Sequence, residues 1–378
     1  MMNRKIHLLT LLICITGGLK LNAQSQKWRS GIITDEFLYD TAAFPSCHSA
    51  TIAETPTGLV AAYFGGTRER HPDVEIYISR QVNGKWLASV SAANGIQNDK
   101  LRLPTWNPVL YQVPGGDLIL FYKIGPKPSE WWGMMRTSKD GGITWSDAKK
   151  MPDGYIGPVK NKPVLLSNGN LFNPSSKEGD GWKVHFEVTK DNGQNWRTVG
   201  PIAGNGLDAI QPSILDHGKG KLQILARSKN RALVESWSVD NGETWSPLAK
   251  TNLPNNNSGT DAVTMKDGRH VLVYNHVLPP GELAKGPRTP LNVSVSKDGK
   301  QWYAALILED SPISQYSYPA VIQTSDGMLH FIYTWRRQKI KHVVVDPSKL
   351  KLKKIVNGVW PKVKGYTAPV ITEIKNEE

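Results

Sequence analysis

Short apolar segments recur along the chain, and each opens just after a polar residue. A turn rich in Gly, Asn or Asp and a second apolar segment follow each opening, which is typical of paired antiparallel strands. No segment of useful length has a helical period, and we place no helix. The openings recur at intervals of about 50 to 60 residues, at 48–52, 107–110, 162–165, 211–214, 261–263 and 318–321.

A second repeat, the Asp-box pattern S/T-x-D-x-G-x-T-W, lies between these openings. Copies occur at 138–145, 189–196 and 238–245, with a copy one residue shorter at 296–302 and a degenerate copy at 79–86. In such a turn the aspartate accepts backbone N–H groups, the glycine provides a positive φ and the tryptophan packs over the turn. The repeat therefore predicts tight turns between antiparallel strands, with the tryptophans in the core.

Together the two repeats predict an all-β fold, a β-propeller of four-stranded antiparallel blades. Six openings predict six blades. A seventh blade could lie in the divergent ends, 27–44 and 339–372, where no Asp-box marks the register. Segment 32–39 is expected to supply the outer strand of the blade that begins at Tyr318, which would close the ring.

The first 23 residues have the pattern of a secretory signal peptide. Arg4 and Lys5 precede an apolar stretch at 8–15, and Ala23 ends a small-residue cleavage site. The apolar stretch is too short to span a bilayer. We therefore expect residues 24–378 to form a single propeller domain that is secreted or periplasmic, with Cys47 as its one thiol and no disulfide.

Composition and charge narrow the ligand class. An apolar fraction of 39% excludes a disordered chain, and 46 Lys+Arg against 33 Asp+Glu give a net charge of +13. The basic residues are scattered, with one dense run at 339–354, so an acidic saccharide fits better than nucleic acid or a membrane surface. No metal-ligand spacing and no serine-hydrolase elbow occurs, and we expect no metal or organic cofactor.

Strand direction places candidate site residues at one end of the ring. If the first strand of each blade begins at one end, the loops between second and third strands share that end, here called the mouth face. The Asp-box turns then lie at the opposite end, the Asp-box face. First-strand starts contribute His48, Trp106, Asn107, Lys162, Gln211, Asp261, Tyr316 and Tyr318 to the mouth face. The second-to-third loops contribute Arg68, Arg70, His71, Asp73, Lys123, Arg227, Asn275, His276, Arg336 and Arg337.

Several cations around one opening imply an anionic ligand, a carboxylate or a sulfate. Any single arginine could instead tie neighbouring blades together. The residues expected to bind substrate are Arg68, Arg70, His71, Asp73, Trp106, Asn107, Lys162, Gln211, Arg227, Asp261, Tyr316, Tyr318 and Arg336.

The Asp-boxes, the loop 68–73 and the opening 315–318 resemble the sialidase superfamily of Asp-box (BNR-repeat) propellers. Sialidases bind an acid sugar through an arginine triad. At the first blade opening, where they carry Arg-Ile-Pro, this chain has the sequence FPSCHSA at 44–50. One arginine of the triad is therefore missing.

A fuller motif set resembles glycoside hydrolase family 145 within these propellers. Its marks are FPSCHSAT (44–51), YFGGTRERHPDVEIY (63–77), TWNPVL (105–110), KNKPVL (160–165), SGTDAV (258–263) and SYPAVIQT (317–324). The resemblance implies a seven-bladed, exo-acting α-L-rhamnosidase that cleaves L-rhamnose α1,4-linked to D-glucuronic acid on arabinogalactan, with retention of configuration. By motif position His48 would be its acid/base, with Arg and Lys side chains holding the glucuronate carboxylate.

Other functions remain open at this point. Most glycosidases use two carboxyl groups, and Glu69, Asp73 and Asp261 are available at the mouth face. A polysaccharide lyase would use His48 or Tyr316 as a base with Arg227 on the uronate carboxylate. An exo-sialidase would use Tyr316 as nucleophile and Asp73 as acid/base. A non-catalytic carbohydrate-binding propeller is the third alternative.

Overall fold

The structure is a computed structural model that describes residues 26–369. The predicted signal peptide, 1–23, lies outside the described residues. Within residues 26–369 the only helical segments are two 3₁₀ turns, Gln26–Trp28 and Pro347–Lys349. The rest of this part of the chain is strands and their connections, as the sequence pattern predicts.

The described residues form a ring of six blades. Strand β1 (Ile32–Phe37) comes first in the chain but belongs to the last blade. Blade 1 contains β2 (Ser46–Thr55), β3 (Gly58–Gly66), β4 (Glu75–Val82), β5 (Lys85–Trp86) and β6 (Val90–Ala93), of which β5 and β6 both pair with β4. A small pair, β7 (Ile96–Asn98) and β8 (Leu101–Arg102), follows. Blade 2 contains β9 (Thr105–Gln112), β10 (Leu118–Ile124), β11 (Trp132–Ser138) and β12 (Lys149–Lys150).

The next three blades follow the same order from the inner to the outer strand. Blade 3 contains β13 (Val164–Leu165), β14 (Leu171–Gly179), β15 (Gly181–Thr189) and β16 (Arg197–Val199). Blade 4 contains β17 (Ala209–Asp216), β18 (Leu222–Ser228), β19 (Ala232–Ser238) and β20 (Ala249–Pro254). Blade 5 contains β21 (Asp261–Thr264), β22 (His270–Tyr274), β23 (Leu291–Ser296) and β24 (Trp302–Glu309).

Blade 6 closes the ring. It contains β25 (Tyr316–Gln323), β26 (Leu329–Trp335) and β27 (Lys339–Val345), and β1 pairs antiparallel with β27. The final strand, β28 (Lys353–Lys354), adds to β24 of blade 5. The predicted closure by segment 32–39 is confirmed. The prediction that the divergent ends could form a seventh blade is wrong for the described residues. The N-terminal end adds β1 to blade 6, and the C-terminal end adds β28 to blade 5.

The hydrophobic core lies between neighbouring blades. The middle strand β10 is buried along its whole length, as expected for a continuous apolar run that is covered on both faces. Val60 and Ala62 of blade 1 pack with Leu118 and Leu120 of blade 2, and the other interfaces repeat this arrangement. Each blade is therefore stable only with its neighbours beside it.

The Asp-box turns have the predicted geometry. Asp140 Oδ1 accepts the backbone N–H groups of Ile143 at 3.0 Å and Thr144 at 2.9 Å, while Gly142 has φ +83°. Trp302, in the shortened box, is buried, whereas the tryptophans of the three full-length boxes are half-buried against the inter-blade cores. The boxes follow the third strands, at the end of the ring opposite the β3–β4 loop. The mouth face and the Asp-box face are thus separate surfaces.

Candidate functional site

The first strands of four blades carry the same irregularity at the mouth face. The ladder register shifts in β2, β9, β17 and β25. At each shift one residue has a positive φ: Ser49 (+57°), Asn107 (+34°), Gln211 (+57°) and Tyr318 (+50°). Bulges of this kind change the direction of a side chain and are frequent next to active sites. Here they release polar side chains from the strand ladders at the opening of the ring.

Side chains from blades 4 and 6 meet across this opening. Arg227 Nη1 donates to the Tyr318 hydroxyl at 2.7 Å and to Gln211 Oε1 at 3.2 Å. Gln211 Nε2 donates to the same hydroxyl at 3.3 Å. Arg227 also donates from Nε and Nη2 to Asn257 Oδ1, at 3.1 and 2.8 Å. The structure thus brings together three predicted residues, Gln211, Arg227 and Tyr318, and holds the guanidinium rigidly.

His48 lies against this cluster. Its ring centroid is 4.2 Å from that of Tyr318 and 5.7 Å from that of Phe64, and 2% of the residue is exposed. Nδ1 lies 3.0 Å from Thr334 Oγ1, which also accepts the backbone N–H of Ser49. Among the residues described, no hydrogen bond engages Nε2, which leaves that nitrogen for a ligand.

The surroundings keep His48 neutral. Burial and then the positive charges of Arg337, Arg288, Lys160 and Arg227 hold the pKa of the imidazole well below 6.5. A neutral imidazole can accept a proton at neutral pH. The four cations around it create a site in which a bound anion would be favourable.

Two of these cations come from segments outside the predicted set. Lys160 is buried, and its Nζ donates to Asn161 Oδ1 at 2.8 Å, Thr260 O at 2.9 Å and Pro319 O at 2.6 Å. Burial lowers the pKa of Lys160 to about 7. The Arg288 guanidinium lies 5.6 Å from the centre of the Tyr318 ring. It follows Tyr274 in the long second-to-third connection of blade 5, so the strand-direction rule could have found it had the whole connection been considered.

A third residue absent from the predicted set, Glu178, closes the end of β14 at the mouth face. Burial raises its pKa, while the charges of Arg227, Lys229 and Arg70 oppose the shift. Glu178 belongs to the same class of second-to-third turn that supplied Arg227 and Arg336. Among the residues described, its carboxyl accepts no hydrogen bond.

Asp261 and Lys162 form an ion pair between blades close to the axis of the ring. Lys162 Nζ donates to Asp261 Oδ2 at 2.7 Å, and the same oxygen accepts the backbone N–H of Val321 at 2.9 Å. Asp261 Oδ1 accepts from Ser213 Oγ and from its neighbour's backbone N–H. These bonds join blades 3, 4, 5 and 6. Because both carboxylate oxygens are occupied and the residue is buried, Asp261 is placed to hold the ring together.

Tyr316, Arg336 and Trp106 also have internal partners. Arg336 donates from Nε and Nη2 to the Tyr316 hydroxyl, at 3.2 and 3.1 Å, and Tyr316 lies in the core between blades 5 and 6. The Trp106 indole N–H donates to Gly125 O at 2.7 Å, and the residue is buried. Asn107, beside it, is 5% exposed. The hydrogen bonds of Tyr316, Arg336 and Trp106 are thus made to protein groups outside the His48 cluster.

The loop between β3 and β4 forms the rim of the mouth. Asp73 accepts from the backbone N–H and hydroxyl of Thr67, at 3.0 and 2.6 Å, and lies 2.7 Å from His71 Nδ1. Although burial opposes it, these hydrogen bonds lower the pKa of Asp73. Glu69 pairs with Arg337. Arg68 and Arg70 are exposed and have no ion-pair partner among the described residues.

The remaining predicted mouth residues bond mainly to the backbone. Asn275 Nδ2 donates to Pro290 O and Tyr316 O, and His276 Nε2 lies 2.9 Å from Gly358 O. Lys123 is buried and donates to Pro158 O, and burial lowers its pKa to about 7. In residues 26–369 no group of three or more His, Cys, Asp or Glu side chains could hold a metal ion. No helix in this range is long and apolar enough to cross a membrane.

Comparison with known proteins identifies the fold and the family. A family model described as a BNR repeat-like domain matches residues 57–331. A curated relative, the anhydrosialidase of Macrobdella decora, is 22% identical over 232 residues, which cover 54% of this chain and 30% of the relative. The chain thus spans less than a third of that relative's length.

Solved structures show the same architecture at low identity. The NanB sialidase of Streptococcus pneumoniae superimposes with a TM-score of 0.65 at 13% identity, over 84% of this chain and 71% of the other. The intramolecular trans-sialidase of Ruminococcus gnavus gives 0.64 at 15% identity, over 85% and 99%. A protein of unknown function from Dyadobacter fermentans gives 0.69 at 15% identity, over 84% and 99%. The chain belongs to the BNR repeat-like domain family and has the fold of the sialidase-like propellers.

Proposed function

We propose that the protein is an exo-acting glycosidase of acidic oligosaccharides, which hydrolyses terminal L-rhamnose α1,4-linked to D-glucuronic acid. One observation carries the proposal: the buried imidazole of His48 lies against Tyr318, where the positive charges of Arg337, Arg288, Lys160 and Arg227 act on it. This arrangement supplies a proton acceptor beside a binding site for a carboxylate. The choice of rhamnose and glucuronate comes from the motif resemblance. The predicted signal peptide makes an exported enzyme part of the proposal.

The glucuronate carboxylate is proposed to bind to Arg227 and Arg288. Arg227 is held by Asn257 on one side, so its guanidinium is fixed before a ligand arrives. The Arg288 guanidinium lies 5.6 Å from the centre of the same Tyr318 ring, and that of Arg227 lies 5.8 Å from it. A charge-assisted hydrogen bond to a carboxylate is stronger than a neutral one, which favours a uronate over a neutral sugar at this position.

The proposed mechanism has two steps, which together retain the configuration. In the first, His48 Nε2 takes a proton from a hydroxyl group of the rhamnose as that oxygen bonds to the anomeric carbon; the bond to the glycosidic oxygen breaks, and that oxygen takes the proton of Tyr318. In the second, water bonds to the anomeric carbon and gives a proton back to the Tyr318 oxygen, while the rhamnose hydroxyl oxygen leaves that carbon and takes its proton back from His48. Because the Tyr318 oxygen accepts hydrogen bonds from Arg227 and Gln211, its own proton is available for the leaving group.

A lyase is the second candidate, and the same neutral imidazole favours it. A base and an arginine that neutralises a uronate carboxylate are what β-elimination across the uronate ring requires. An exo-sialidase receives less support from the hydrogen bonds. A tyrosine nucleophile needs a base, whereas Tyr318 contacts Arg227 and Gln211, and Tyr316 contacts Arg336.

The test is to incubate residues 24–378 with rhamnosyl-α1,4-glucuronic acid and, separately, with sialyllactose. Free rhamnose without a gain in ultraviolet absorbance, lost in His48→Ala, is expected. His330→Ala, which removes a buried histidine near the Asp-box face, is the matched control and should retain activity. An unsaturated uronate product would establish the lyase, and released sialic acid the sialidase. Binding of the disaccharide without any product would contradict an enzymatic function.

A further inference from the structure

A cleft opens between blades 2 and 3 at the mouth face. Its volume is about 330 Å³, within the range of small-ligand pockets. Its walls come from the connection before β11, from the segment after β12 and from the end of β14. The lining includes Trp131, Trp132, Met151, Tyr155, Lys177 and Glu178.

The aromatic wall of the cleft is held in place from below. The Tyr155 hydroxyl donates to Trp196 O at 2.9 Å. The Trp131 ring makes an edge contact with Trp106 at 5.9 Å, and the Trp106 indole N–H is fixed by Gly125 O. Trp131 is half-buried, so part of its ring remains accessible. A preorganised and partly exposed indole loses little entropy when a flat ligand packs on it.

Two routes connect this cleft to His48. Ring contacts run from Trp131 through Trp106 and Phe64 to His48, with centroids 5.9, 6.4 and 5.7 Å apart. On the other side Glu178 pairs with Trp182 in the β14–β15 ladder. The Arg227 guanidinium lies 5.2 Å from the centre of the Trp182 ring. The cleft therefore lies on the same face as the His48 cluster, and packed side chains connect the two.

The chemistry of the lining selects a neutral sugar. A pyranose ring has an apolar C–H face that packs on indole and phenol rings, and hydroxyl groups at its edge that need hydrogen-bond partners. Glu178 is suited to that second task because, within the described residues, its carboxyl accepts no hydrogen bond. The lining has two lysines, Lys150 and Lys177, and two acids, Asp153 and Glu178, and Lys150 pairs with Asp153 at 2.9 Å. The cleft therefore has no excess of positive charge comparable to the His48 cluster.

We propose that this cleft is a second sugar subsite, which binds a neutral pyranose attached to the reducing side of the glucuronate. Trp131 forms its stacking platform and Glu178 binds the hydroxyl groups of that ring. The inference rests on the proposed function in that the mouth is taken to hold an acidic oligosaccharide. It adds that the enzyme recognises the glycan beyond the bond that it cleaves.

The test compares rhamnosyl-glucuronic acid with the trisaccharide that carries an additional galactose on the glucuronate. Binding is measured by calorimetry with the His48→Ala protein, so that turnover does not interfere. The trisaccharide is expected to bind about tenfold more tightly, and Trp131→Ala should remove that gain. Glu178→Gln should remove part of it. Trp237→Ala, a half-exposed tryptophan of β19 near the Asp-box face, is the matched control and should leave both affinities unchanged.

The outcomes separate the two proposals. Equal affinity for both saccharides, or an undiminished gain in Trp131→Ala, would overturn the subsite while hydrolysis of the disaccharide by the unaltered protein could still stand. A Trp131-dependent gain in binding, with neither saccharide hydrolysed by the unaltered protein, would support the subsite and overturn the proposed reaction. Failure of both saccharides to bind would overturn both.

Discussion

Arg227 is the residue on which the proposed carboxylate site depends. It donates to Tyr318, Gln211 and Asn257, and it is 6% exposed. Its charge also reaches His48 and Glu178 and shifts the pKa of each. One side chain thus connects the proton acceptor, the anion site and the cleft between blades 2 and 3.

Replacing Arg227 by alanine should weaken substrate binding strongly. A hydrogen bond to a charged group contributes about 1.5–3 kcal/mol, so KM for the disaccharide should rise by about 10- to 100-fold. Steady-state kinetics measures this. Arg197→Ala removes an exposed arginine that pairs with Glu243 and should leave KM unchanged. An unaltered KM in Arg227→Ala would show that the carboxylate binds elsewhere.

The pH dependence of activity should reflect the lowered pKa of His48. The imidazole must be neutral to act as a base, and burial and four cations favour that form. We therefore expect kcat/KM to stay level as pH falls from 8 to the usual histidine pKa of about 6.5, and to decline only below it. Arg337→Gln removes the cation that lowers the pKa most after burial, so the decline should move to higher pH. A decline that begins above pH 7 in the unaltered protein would contradict a neutral His48.

At the scale of the strand and turn, local sequence decides the geometry of the Asp-boxes and of the bulges. Gly242 in the blade 4 box has φ +84°, a conformation that side chains rarely adopt. A Cβ there would lie 2.6 Å from the Phe172 ring of blade 3. The glycine therefore allows the turn of blade 4 to form and also leaves room for Phe172 of blade 3 to pack against it.

The change Gly242→Ala should destabilise the protein by more than its backbone strain alone. Gly268→Ala is the matched control, because Gly268 has φ +83° and a Cβ there would meet nothing within 4 Å. The control should cost about 1–2 kcal/mol, and Gly242→Ala clearly more because of the contact with Phe172. Urea unfolding measures both. Equal losses would mean that the ring of Phe172 moves aside freely.

The bulges explain why the first strands provide the site. Without a shift in register, His48, Gln211 and Tyr318 would stay within regular ladders, with side chains alternating between the two faces of a blade. The shifts in β2, β17 and β25 interrupt this alternation at the mouth face. Because of this interruption, side chains of different blades, such as Gln211 and Tyr318, can form hydrogen bonds with each other.

In the whole molecule, ring closure joins the two ends of the chain. Strand β1 pairs with β27, and Asp35 lies 2.8 Å from Lys341 Nζ. Glu36 accepts the indole N–H of Trp86 in blade 1 at 3.0 Å. The first strand therefore completes blade 6 and also binds it to blade 1.

Removing residues 24–37 should lower the stability of the entire ring and not of one blade. The edge of β27 would be exposed, and the contact of blade 6 with blade 1 would lose Glu36. We expect a single thermal transition at least about 5 °C lower than that of the chain starting at residue 24. Differential scanning calorimetry measures it. An unchanged transition would show that β1 is not needed for closure.

Much of this architecture can be inferred without coordinates, because its causes are local. Four Asp-box copies specify their own turns through the aspartate, the glycine and the tryptophan. The spacing of the six openings gives the number of blades, and the position of segment 32–39 predicts the strand that closes the ring. The resemblance to a seven-bladed family implies the wrong number of blades. That number depends on how the divergent ends of the chain pair, and the motifs at the mouth face carry no information about this pairing.

The composition of the site could be inferred only in part. His48, Gln211, Arg227 and Tyr318 could be placed on one face from strand direction. Strand direction does not predict that the Asp261 carboxylate accepts hydrogen bonds from Lys162 and Val321, or that the Trp106 indole donates to the backbone. It also did not assign Lys160, Arg288 and Glu178 to the mouth face. These relations join residues of different blades that are far apart in the chain. They arise when the ring closes and brings the ends of separate strands around one axis, and no short-range pattern encodes which of them then lie within hydrogen-bonding distance.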